Sequence, residues 1–247
     1  MTVVCVTAVR MASSRLPGKT LVEVDDRPLL GHLIDRINAS KCLDQLVIAT
    51  TVLPEDEPIE KYCKEHDVPC YRGSPNDVLE RITCAYLSHG ADVGVVVYGD
   101  GPMIDPMIID QAVELYLTSG SFDFVGNDLL TTYPPGMEVE VVNIAALCRS
   151  ESMCTDANVR EHGTLFLRQH SDLFRIHNFE AEGVLRRPDL SLEVDTPEDL
   201  EVFDQVAKHL KTISSFALDK IIKFVDVKNL KELNQHIPRR WKQYRLQ

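Results

Sequence analysis

Short apolar runs alternate with stretches of helical periodicity along the first half of the chain. The runs 3–9, 45–51 and 93–98 are rich in small and β-branched apolar residues and are almost free of charge, which is typical of strands buried on both faces. Between them, apolar residues recur at helical spacing in 29–39 and 78–86. This alternation predicts an α/β fold with a mostly parallel central sheet and helices on both faces.

The other predicted elements follow from local signals. Pro106 begins a helix that ends before Gly120, with proline at the first helical position and glycine after the last. Further strands are predicted at 68–71, 122–125, 138–142, 173–178 and 190–195, and further helices at 59–66, 144–149 and 159–170. Because the alternation loosens after residue 122, we predict a mixed sheet or a small substrate-binding part over about 122–180.

The last part of the chain differs from the rest in charge. Residues 205–247 carry ten Lys/Arg against three Asp/Glu, so their formal charge is +7, whereas residues 1–204 carry −19. Apolar positions over 216–237 predict two short helices. We therefore divide the chain into a main domain, 1–204, and a basic helical C-terminal extension, 205–247. The extension either packs on the acidic side of the body or forms a dimer or partner contact, since an apolar stripe with charges around it suits both.

Composition excludes some classes of partner. The formal charge of −12 over 247 residues argues against a general nucleic-acid binder or an anionic-membrane binder, because those partners are bound through surplus Lys and Arg. Seven cysteines without a C-x-x-C pair are typical of buried thiols in a reducing compartment. With no secretory-leader pattern and no long apolar run, we expect a soluble cytoplasmic protein.

A cationic loop follows the first predicted strand directly. It contains Arg10, Ser13, Ser14, Arg15 and Lys19. Arginine forms planar, two-pronged hydrogen bonds to phosphate oxygens, lysine adds a compact charge, and hydroxyls and loop amides can bind the remaining oxygens. The loop therefore predicts a binding site for a polyphosphate. A solvated basic loop is the alternative, because Lys and Arg are ordinary surface residues.

The end of this loop, Pro-Gly-Lys-Thr at 17–20, imitates the end of a Walker A motif. That motif requires glycine at position 13, where this chain has serine, and a helix beginning at Lys19, where Leu-Val-Glu-Val follows the Lys-Thr pair. Both requirements fail, so we reject a P-loop.

Two aspartates each follow a predicted strand and precede a helix that begins with proline. Asp100 follows 93–98, and Asp195 ends 190–195. Ligands bind at the carboxyl ends of strands in open parallel sheets, and Mg²⁺ prefers carboxylate, water and phosphate oxygens. Together with the cationic loop, the aspartates predict phosphoryl or nucleotidyl transfer. For Asp195 alone, a helix-capping role is the alternative.

Four segments carry a family resemblance. They are Ala-Val-Arg-Met-Ala-Ser-Ser-Arg-Leu-Pro-Gly-Lys at 8–19, Arg-Gly-Ser with Asp-Val-Leu-Glu-Arg over 72–81, Gly-Asp-x-Pro-x-Ile-Asp-Pro at 99–106 and Val-Asp-Thr-Pro-Glu-Asp-Leu at 194–200. In order and spacing over about 1–205, the chain resembles the cytidylyltransferase family, which includes CMP-Kdo and CMP-acylneuraminate synthetases. The spore-coat polysaccharide branch, the SpsF-like proteins, is the nearest in likeness, and Asn234-x-His236 resembles that branch too.

The resemblance implies a Rossmann-like nucleotide-diphospho-sugar transferase fold, with 1–204 as the nucleotidyltransferase domain. It also implies CTP as co-substrate and Mg²⁺-assisted attack on the α-phosphate with release of pyrophosphate. Arg10, Lys19, Asp100 and Asp195 would be catalytic, and the two aspartates would hold Mg²⁺. The residues that would bind CTP are Ala8, Arg10, Ser13, Ser14, Arg15, Lys19, Thr50, Arg72, Ser74, Asp77 and Arg81. Asp77 and Arg81 are expected to pair and shape the pocket.

On the acceptor side, the segments that resemble the family contribute Tyr133, Glu138, Glu140, Arg160, Glu161 and His162. Arg160 would bind an acceptor carboxylate, phosphate or phosphonate, and His162 would help to take up a proton. The alternative is that Arg160 and Glu161 form a solvated helix face and that His162 is a satisfied histidine. Position 101 is glycine where the spore-coat branch commonly has cysteine and the Kdo enzymes an acidic residue, so any contacts of that side chain are absent.

The sequence thus predicts a Mg²⁺-dependent cytidylyltransferase that transfers CMP from CTP to a small acidic acceptor, a sugar acid of surface-polysaccharide biosynthesis. We expect a homodimer with no nucleic-acid or membrane partner. A phosphonate or phosphate acceptor is an alternative within the same class. A catalytically silent nucleotide-binding or interaction protein is the alternative from another class, because fold does not fix function.

Overall fold

A seven-stranded sheet forms the centre of the computed structural model, which describes residues 1–213 and 215–239. Numbered in chain order together with a separate two-stranded hairpin, the strands are β1 Val3–Ala8, β2 Glu23–Val24, β3 Arg27–Pro28, β4 Gln45–Thr51, β5 Cys70–Gly73, β6 Val93–Val97, β7 Phe124–Gly126, β8 Val139–Asn143 and β9 Ile176–Asn178. The order across the sheet is β5-β4-β1-β6-β8-β7-β9, and β2 and β3 form the hairpin. Within the seven-stranded sheet, only β8 runs antiparallel to both of its neighbours, β6 and β7. The sheet is therefore mixed and mostly parallel, as predicted.

Helices cover both faces of the sheet. In chain order they are α1 Leu29–Asn38, α2 Glu57–Glu65, α3 Val78–Ser88, α4 Pro106–Ser119, α5 Ile144–Met153, α6 Ala157–Arg160, α7 Leu165–Gln169, α8 Pro197–Ile213, α9 Leu218–Lys228 and α10 Lys231–Asn234. One core layer holds α1, α4, α8 and α9, and the other holds α3, α5 and α7. Alternate residues of β1 enter the two layers, which is why that strand is apolar at successive positions.

Two predicted elements are corrected. Residues 190–195 do not form a strand: the backbone N–H groups of Leu192 and Val194 donate to the carbonyls of Pro135 and Asp100, at 2.7 and 2.8 Å. Those carbonyls belong to two different loops, so no ladder forms. The single helix predicted at 159–170 is two short helices, α6 and α7, separated by a turn over 161–164.

The C-terminal part confirms two short helices, α9 and α10. Our division of the chain after residue 204 falls inside α8, which continues to Ile213. Positions 240–247 of the predicted basic extension lie outside the described residues.

All seven cysteines carry free thiols, and Cys5, Cys63 and Cys154 are buried. Among the described residues, no helix combines the length and apolarity needed to cross a membrane.

Candidate active site

A cleft of about 450 Å³ opens where the neighbouring strands β1 and β6 end. Its walls come from the loops that follow these strands, from α3 and β8, from the loop before α8 and from the turn between α6 and α7. The cleft therefore lies at the carboxyl edge of the parallel strands, where open α/β sheets bind ligands.

The loop after β1 forms the basic end of the cleft, which we define as Arg10, Ser13, Ser14, Arg15 and Lys19. Two hydrogen bonds fix the conformation of this loop. The Thr20 hydroxyl donates to the Arg10 carbonyl at 2.9 Å, and the Met11 N–H donates to the buried Asp56 carboxylate at 2.6 Å.

Gly18 has a φ of +71°, in the region that favours glycine, and directly precedes a three-residue 3₁₀ turn, Lys19–Leu21. A P-loop would place a full α-helix here, so the structure agrees with the rejection of that motif.

Three carboxylates face the basic end and form the carboxylate cluster: Asp100, Glu193 and Asp195. One oxygen from each lies within 4.8 Å of the others. Lys19 donates from Nζ to Asp195 Oδ1 at 2.6 Å and to the Val194 carbonyl at 3.0 Å, and the Arg15 guanidinium binds the other Asp195 oxygen. The two predicted aspartates thus converge, although the second of them does not end a strand.

Close backbone packing brings the loops of the carboxylate cluster together. A Cβ atom on Gly101 would lie 2.5 Å from the Gly136 carbonyl oxygen. Gly136 itself has a φ of +102°, and a Cβ there would lie 2.7 Å from the backbone of Leu192 and Glu193. The glycine at position 101 is therefore explained by local packing, because three backbone segments approach each other there without space for a side chain.

The carboxylate cluster concentrates negative charge away from water. Burial raises the pKa of the Asp100 carboxyl to about 6, an increase that the neighbouring Lys19 ammonium opposes. Burial, with the negative charge of Asp100 adding to it, raises the pKa of Glu193 to about 8. A bound cation would favour the ionised form of both groups. Several carboxylate oxygens close together are the donor set of a hard divalent cation, so these residues fit Mg²⁺ or a similar ion.

Helix α8 is capped without the Asp195 side chain. Asp199 Oδ2 accepts from the Thr196 N–H at 3.0 Å, and Thr196 Oγ1 accepts from the Asp199 N–H at 3.4 Å, which is a reciprocal capping box. This arrangement excludes the capping alternative for Asp195, whose carboxylate faces the cleft instead.

At the other end of the cleft, buried polar groups form a polar floor, which we define as Tyr98, Asp128, Glu140, Thr164 and Arg168. Glu140 accepts from the Tyr98 and Thr164 hydroxyls, both at 2.7 Å. The Arg168 guanidinium lies between Asp128, which it binds directly, and Glu140 at 3.4 Å. Burial raises the pKa of Glu140 to about 7, although Arg168 opposes the shift.

Arg81 lines the cleft, but its expected pairing with Asp77 is wrong. Arg81 is buried and donates from Nη1 to the Ser74 carbonyl at 2.7 Å. Burial and, next, the charge of Arg10 lower the pKa of Arg81. Asp77 instead caps α3 through the Glu80 N–H and accepts from Arg160 Nε at 2.6 Å.

Several other residues expected to bind CTP lie outside the cleft. Thr50 is buried in β4, next to β5, and Ser74 contributes its carbonyl to Arg81. Arg72 donates to the Thr51 and Leu53 carbonyls and to Glu60. These contacts stabilise the β4–β5 edge, and the geometry does not bring Thr50, Arg72, Ser74 or Asp77 to the cleft wall.

On the expected acceptor side, the structure separates Arg160 and Tyr133 from the cleft. The Arg160 guanidinium donates to Asp77, to the Glu151 carboxylate and to the carbonyls of Glu151 and Cys154. All of these contacts lie within the protein, so Arg160 has a structural role and does not direct its guanidinium at a ligand. Tyr133 is buried and donates to Gln111 at 3.1 Å.

Four acceptor-side residues do reach the cleft: Glu138, Glu140, Glu161 and His162. Glu161 lies 3.5 Å from the Arg10 guanidinium, so it contacts the basic end. Burial lowers the pKa of His162, which favours the neutral imidazole.

Sequence reasoning missed Glu193 and four members of the polar floor: Tyr98, Asp128, Thr164 and Arg168. Glu193 left one signal, a charge inside the apolar run at 190–194. The floor residues come from separate segments that only the folded sheet brings together, and no local pattern marks them.

Comparison with known proteins gives one consistent result. The family model for cytidylyltransferases matches residues 4–237. An uncharacterized protein of Methanocaldococcus jannaschii is 32% identical over 247 residues, covering 99% of this chain and 98% of the relative. The spore coat polysaccharide biosynthesis protein SpsF of Bacillus subtilis is 34% identical over 197 residues, covering 78% of this chain and 80% of SpsF.

Among solved structures, a cytidylyltransferase from Leptospira borgpetersenii superposes with a TM-score of 0.87 at 28% identity, covering 97% of this chain and 100% of that one. The expected nucleotide-diphospho-sugar transferase fold and the likeness to the SpsF-like branch are both confirmed. The chain belongs to the cytidylyltransferase family of nucleotidyltransferases.

Proposed function

We propose that the protein transfers CMP from CTP to a small acceptor that carries an acidic group, with release of pyrophosphate. One observation carries the proposal: at a single edge of the cleft, Arg15 and Lys19 contact Asp195, which lies beside Asp100 and Glu193. Cations that can bind phosphate oxygens and carboxylates that can bind a divalent cation are thus adjacent. That pairing suits an attack on phosphorus with an anionic leaving group.

The basic end would hold the triphosphate. Arg10 and Arg15 would bind phosphate oxygens in two-pronged fashion, Lys19 would supply a compact charge, and the Ser13 and Ser14 hydroxyls would bind further oxygens. Lys19 and Arg15 are partly shielded from water, with 17 and 25% of their side chains exposed, so their charges act on a ligand with little screening.

Asp100 and Asp195 would hold the divalent cation, with Glu193 beside them. The ion, when bound, would supply positive charge at the α-phosphate and at the departing pyrophosphate. Magnesium is the species we propose, because it commonly binds through one or two carboxylates together with substrate phosphates.

The acceptor would occupy the space between the basic end and the polar floor. Tyr98, Thr164 and Glu140 offer hydroxyl and carboxylate groups that match the hydroxyls of a sugar acid. His162, favoured in its neutral form, would accept the proton of the attacking hydroxyl. The name of SpsF, a spore coat polysaccharide biosynthesis protein, supports a precursor of a surface polysaccharide as the acceptor.

A pyrophosphate-release assay tests the proposal. The protein, CTP and Mg²⁺ are incubated with a metabolite mixture that contains sugar acids, phosphonates and phosphorylated sugars, and mass spectrometry searches for a new CMP conjugate. We expect pyrophosphate and a CMP conjugate in equal amounts, with a sugar acid as the acceptor. Calorimetric CTP binding without turnover on any acceptor would contradict the proposal and favour a nucleotide-binding protein. The homodimer stays a prediction, and sedimentation equilibrium would test it.

A further inference from the structure

The C-terminal segment, residues 215–239, packs against the body of the protein. Leu218, Ile221, Val225 and Leu230 are buried in the same core layer as α1 and α4. Of the two uses that the sequence left open for the basic extension, this apolar face supports packing on the body. The segment reaches the cleft region at both of its ends.

At its beginning, the segment is tied to the loop that follows Asp100. Arg36, which is buried in α1, donates to the carbonyls of Ile104 and Phe216, at 3.1 and 3.2 Å. The Leu218 N–H donates to Asp105 Oδ2 at 2.8 Å. One arginine and one aspartate thus join the start of α9 to the chain that carries Asp100.

At its end, the segment places Arg239 against two buried carboxylates. Arg239 binds Asp199 in two-pronged fashion, with Nη2 to Oδ1 at 2.7 Å and Nη1 to Oδ2 at 2.9 Å, and its Nη1 lies 3.3 Å from Glu193. The three side chains are only 5, 0 and 7% exposed. Asn234 adds a hydrogen bond to Asp199 Oδ1 at 2.8 Å.

Asp199 connects Arg239 to the carboxylate cluster through the backbone of Asp195. Its Oδ2 accepts from the backbone N–H of Asp195 at 3.1 Å and from that of Thr196 at 3.0 Å. The main chain that presents the Asp195 carboxylate is therefore held by a side chain, Asp199, whose own two oxygens Arg239 fixes.

The positive charge of Arg239 also stabilises the same loop. Glu193 belongs to the carboxylate cluster, and Asp199 is buried beside it. A buried cation in contact with both offsets repulsion among these carboxylates. Lysine would keep the charge but lose the planar fork that binds both oxygens of Asp199.

We propose that Arg239 is a positioning residue for the carboxylate cluster, an inference that rests on the function proposed above. Within the described part of the chain, Glu193 is the one cleft-lining residue among its ion-pair and hydrogen-bond partners, and Arg239 lies two positions beyond residue 237, where the family match ends. Its role is to hold Asp199 and, through Asp199, the backbone that directs Asp195 towards the metal site.

The test compares Arg239→Lys and Arg239→Met with a matched control, Lys231→Met, in the full chain. Lys231 lies on the same segment and pairs with Asp189 at 2.6 Å, away from the cluster. Three quantities are measured: hydrogen exchange of the Asp195 and Thr196 amides in metal-free protein, the Mn²⁺ dissociation constant from electron paramagnetic resonance, and the midpoint of thermal unfolding.

We expect Arg239→Met to speed exchange at the two amides by at least about tenfold and to weaken Mn²⁺ binding by about 10- to 100-fold. Arg239→Lys should fall between Arg239→Met and wild type, and Lys231→Met should match wild type in exchange and in Mn²⁺ affinity.

Wild-type exchange and Mn²⁺ affinity in both Arg239 variants would overturn the proposal, even if the unfolding midpoint drops, because Arg239 would then only stabilise the fold. If Arg239→Met does not fold, Arg239→Lys decides alone. If the wild-type protein binds no Mn²⁺ and releases no pyrophosphate, the proposed function fails, whereas amide exchange still decides whether Arg239 holds the loop.

Discussion

At the basic end of the cleft, Arg15 and Lys19 meet the single carboxylate of Asp195, so positive charge is in surplus there. At the polar floor the balance is reversed, because one cation, Arg168, lies between the carboxylates of Asp128 and Glu140. The first arrangement is open to the cleft and can exchange its partners for a ligand. The second is 8% exposed at most, and its opposite charges pair with each other.

This contrast separates two uses of charge in one cleft. Surplus cations near partly exposed carboxylates are suited to binding a polyphosphate and a metal ion, so substitutions there should mainly reduce turnover and CTP binding. A buried ion cluster is costly to break, so substitutions at the polar floor should mainly reduce the free energy of unfolding.

The largest effect is expected from Asp100→Asn. The change keeps the shape of the side chain but removes an ionised ligand, so CTP-dependent pyrophosphate release should fall by at least about 10³-fold, equivalent to about 4 kcal/mol of barrier. Circular dichroism and the unfolding midpoint serve as controls for folding. Turnover within tenfold of wild type in the folded variant would contradict the proposed role of Asp100 in holding the divalent cation.

Arg168→Met should have the next largest effect, on stability. Removing this guanidinium leaves Asp128 and Glu140 buried without their cation, so the free energy of unfolding in urea should fall by about 3–4 kcal/mol.

The matched change at the basic end is Arg15→Met, which should cost no more than about 1 kcal/mol, because the side chain is 25% exposed and Lys19 still pairs with Asp195. Equal losses in Arg168→Met and Arg15→Met would remove the distinction between the two ends.

Gly101→Ala probes the packing that brings the carboxylates together. The new Cβ would lie 2.5 Å from the Gly136 carbonyl oxygen, and a backbone atom cannot yield as a flexible side chain can. We expect a loss of about 1–3 kcal/mol in urea unfolding, with a matching decrease in Mn²⁺ affinity. Gly120→Ala is the comparison away from the cleft, where a Cβ has open space and the cost comes instead from a φ of +60°. A smaller loss in Gly101→Ala than in Gly120→Ala would contradict this account.

One further effect concerns the dependence of stability on pH and the buried carboxyl of Glu140. Burial raises its pKa to about 7 in the folded state, from an ordinary value of 4.5. Between those two values the folded protein keeps a proton that the unfolded chain has lost, so the stability contributed by Glu140 falls as pH rises from 4.5 to 7 and then levels off.

Glu140→Gln removes this titration. The stability of the variant relative to wild type, measured by urea unfolding at each pH, should increase across that window, because only the wild type loses stability there. Tyr98→Phe removes a hydrogen bond to this carboxylate but keeps the titrating carboxyl, so stability should still fall as pH rises through the window. A pH-independent difference between Glu140→Gln and wild type would show that Glu140 does not titrate in this range.

The two ends also differ in how far the sequence predicts them. The basic end lies in one loop after one apolar strand, so charge and order along the chain were enough to place Arg10 to Lys19 on the cleft wall. Asp100 and Asp195 converge as predicted, although the 190–195 segment is a loop held by single hydrogen bonds rather than a strand. Local alternation of apolar residues cannot distinguish these two forms.

The predictions that failed concern side chains whose partners lie far away along the chain. Arg160 and Asp77 carry the right chemistry for ligand binding, but they bind each other across 83 positions of the chain. The polar floor depends on the register of β8 against β6, which places Glu140 opposite Val96 beside Tyr98. Side-chain pairing of this kind follows from the folded sheet and has no signature along the sequence.

The central claim is that the basic end and the carboxylate cluster bind CTP together with a divalent cation. Calorimetric titration of CTP, with and without Mg²⁺, into wild type, Lys19→Met and Lys231→Met tests it most directly. We expect one CTP site per chain that Mg²⁺ strengthens, a loss of at least about tenfold in affinity in Lys19→Met, and wild-type affinity in Lys231→Met. CTP binding that is unchanged in Lys19→Met and unaffected by Mg²⁺ would contradict the account.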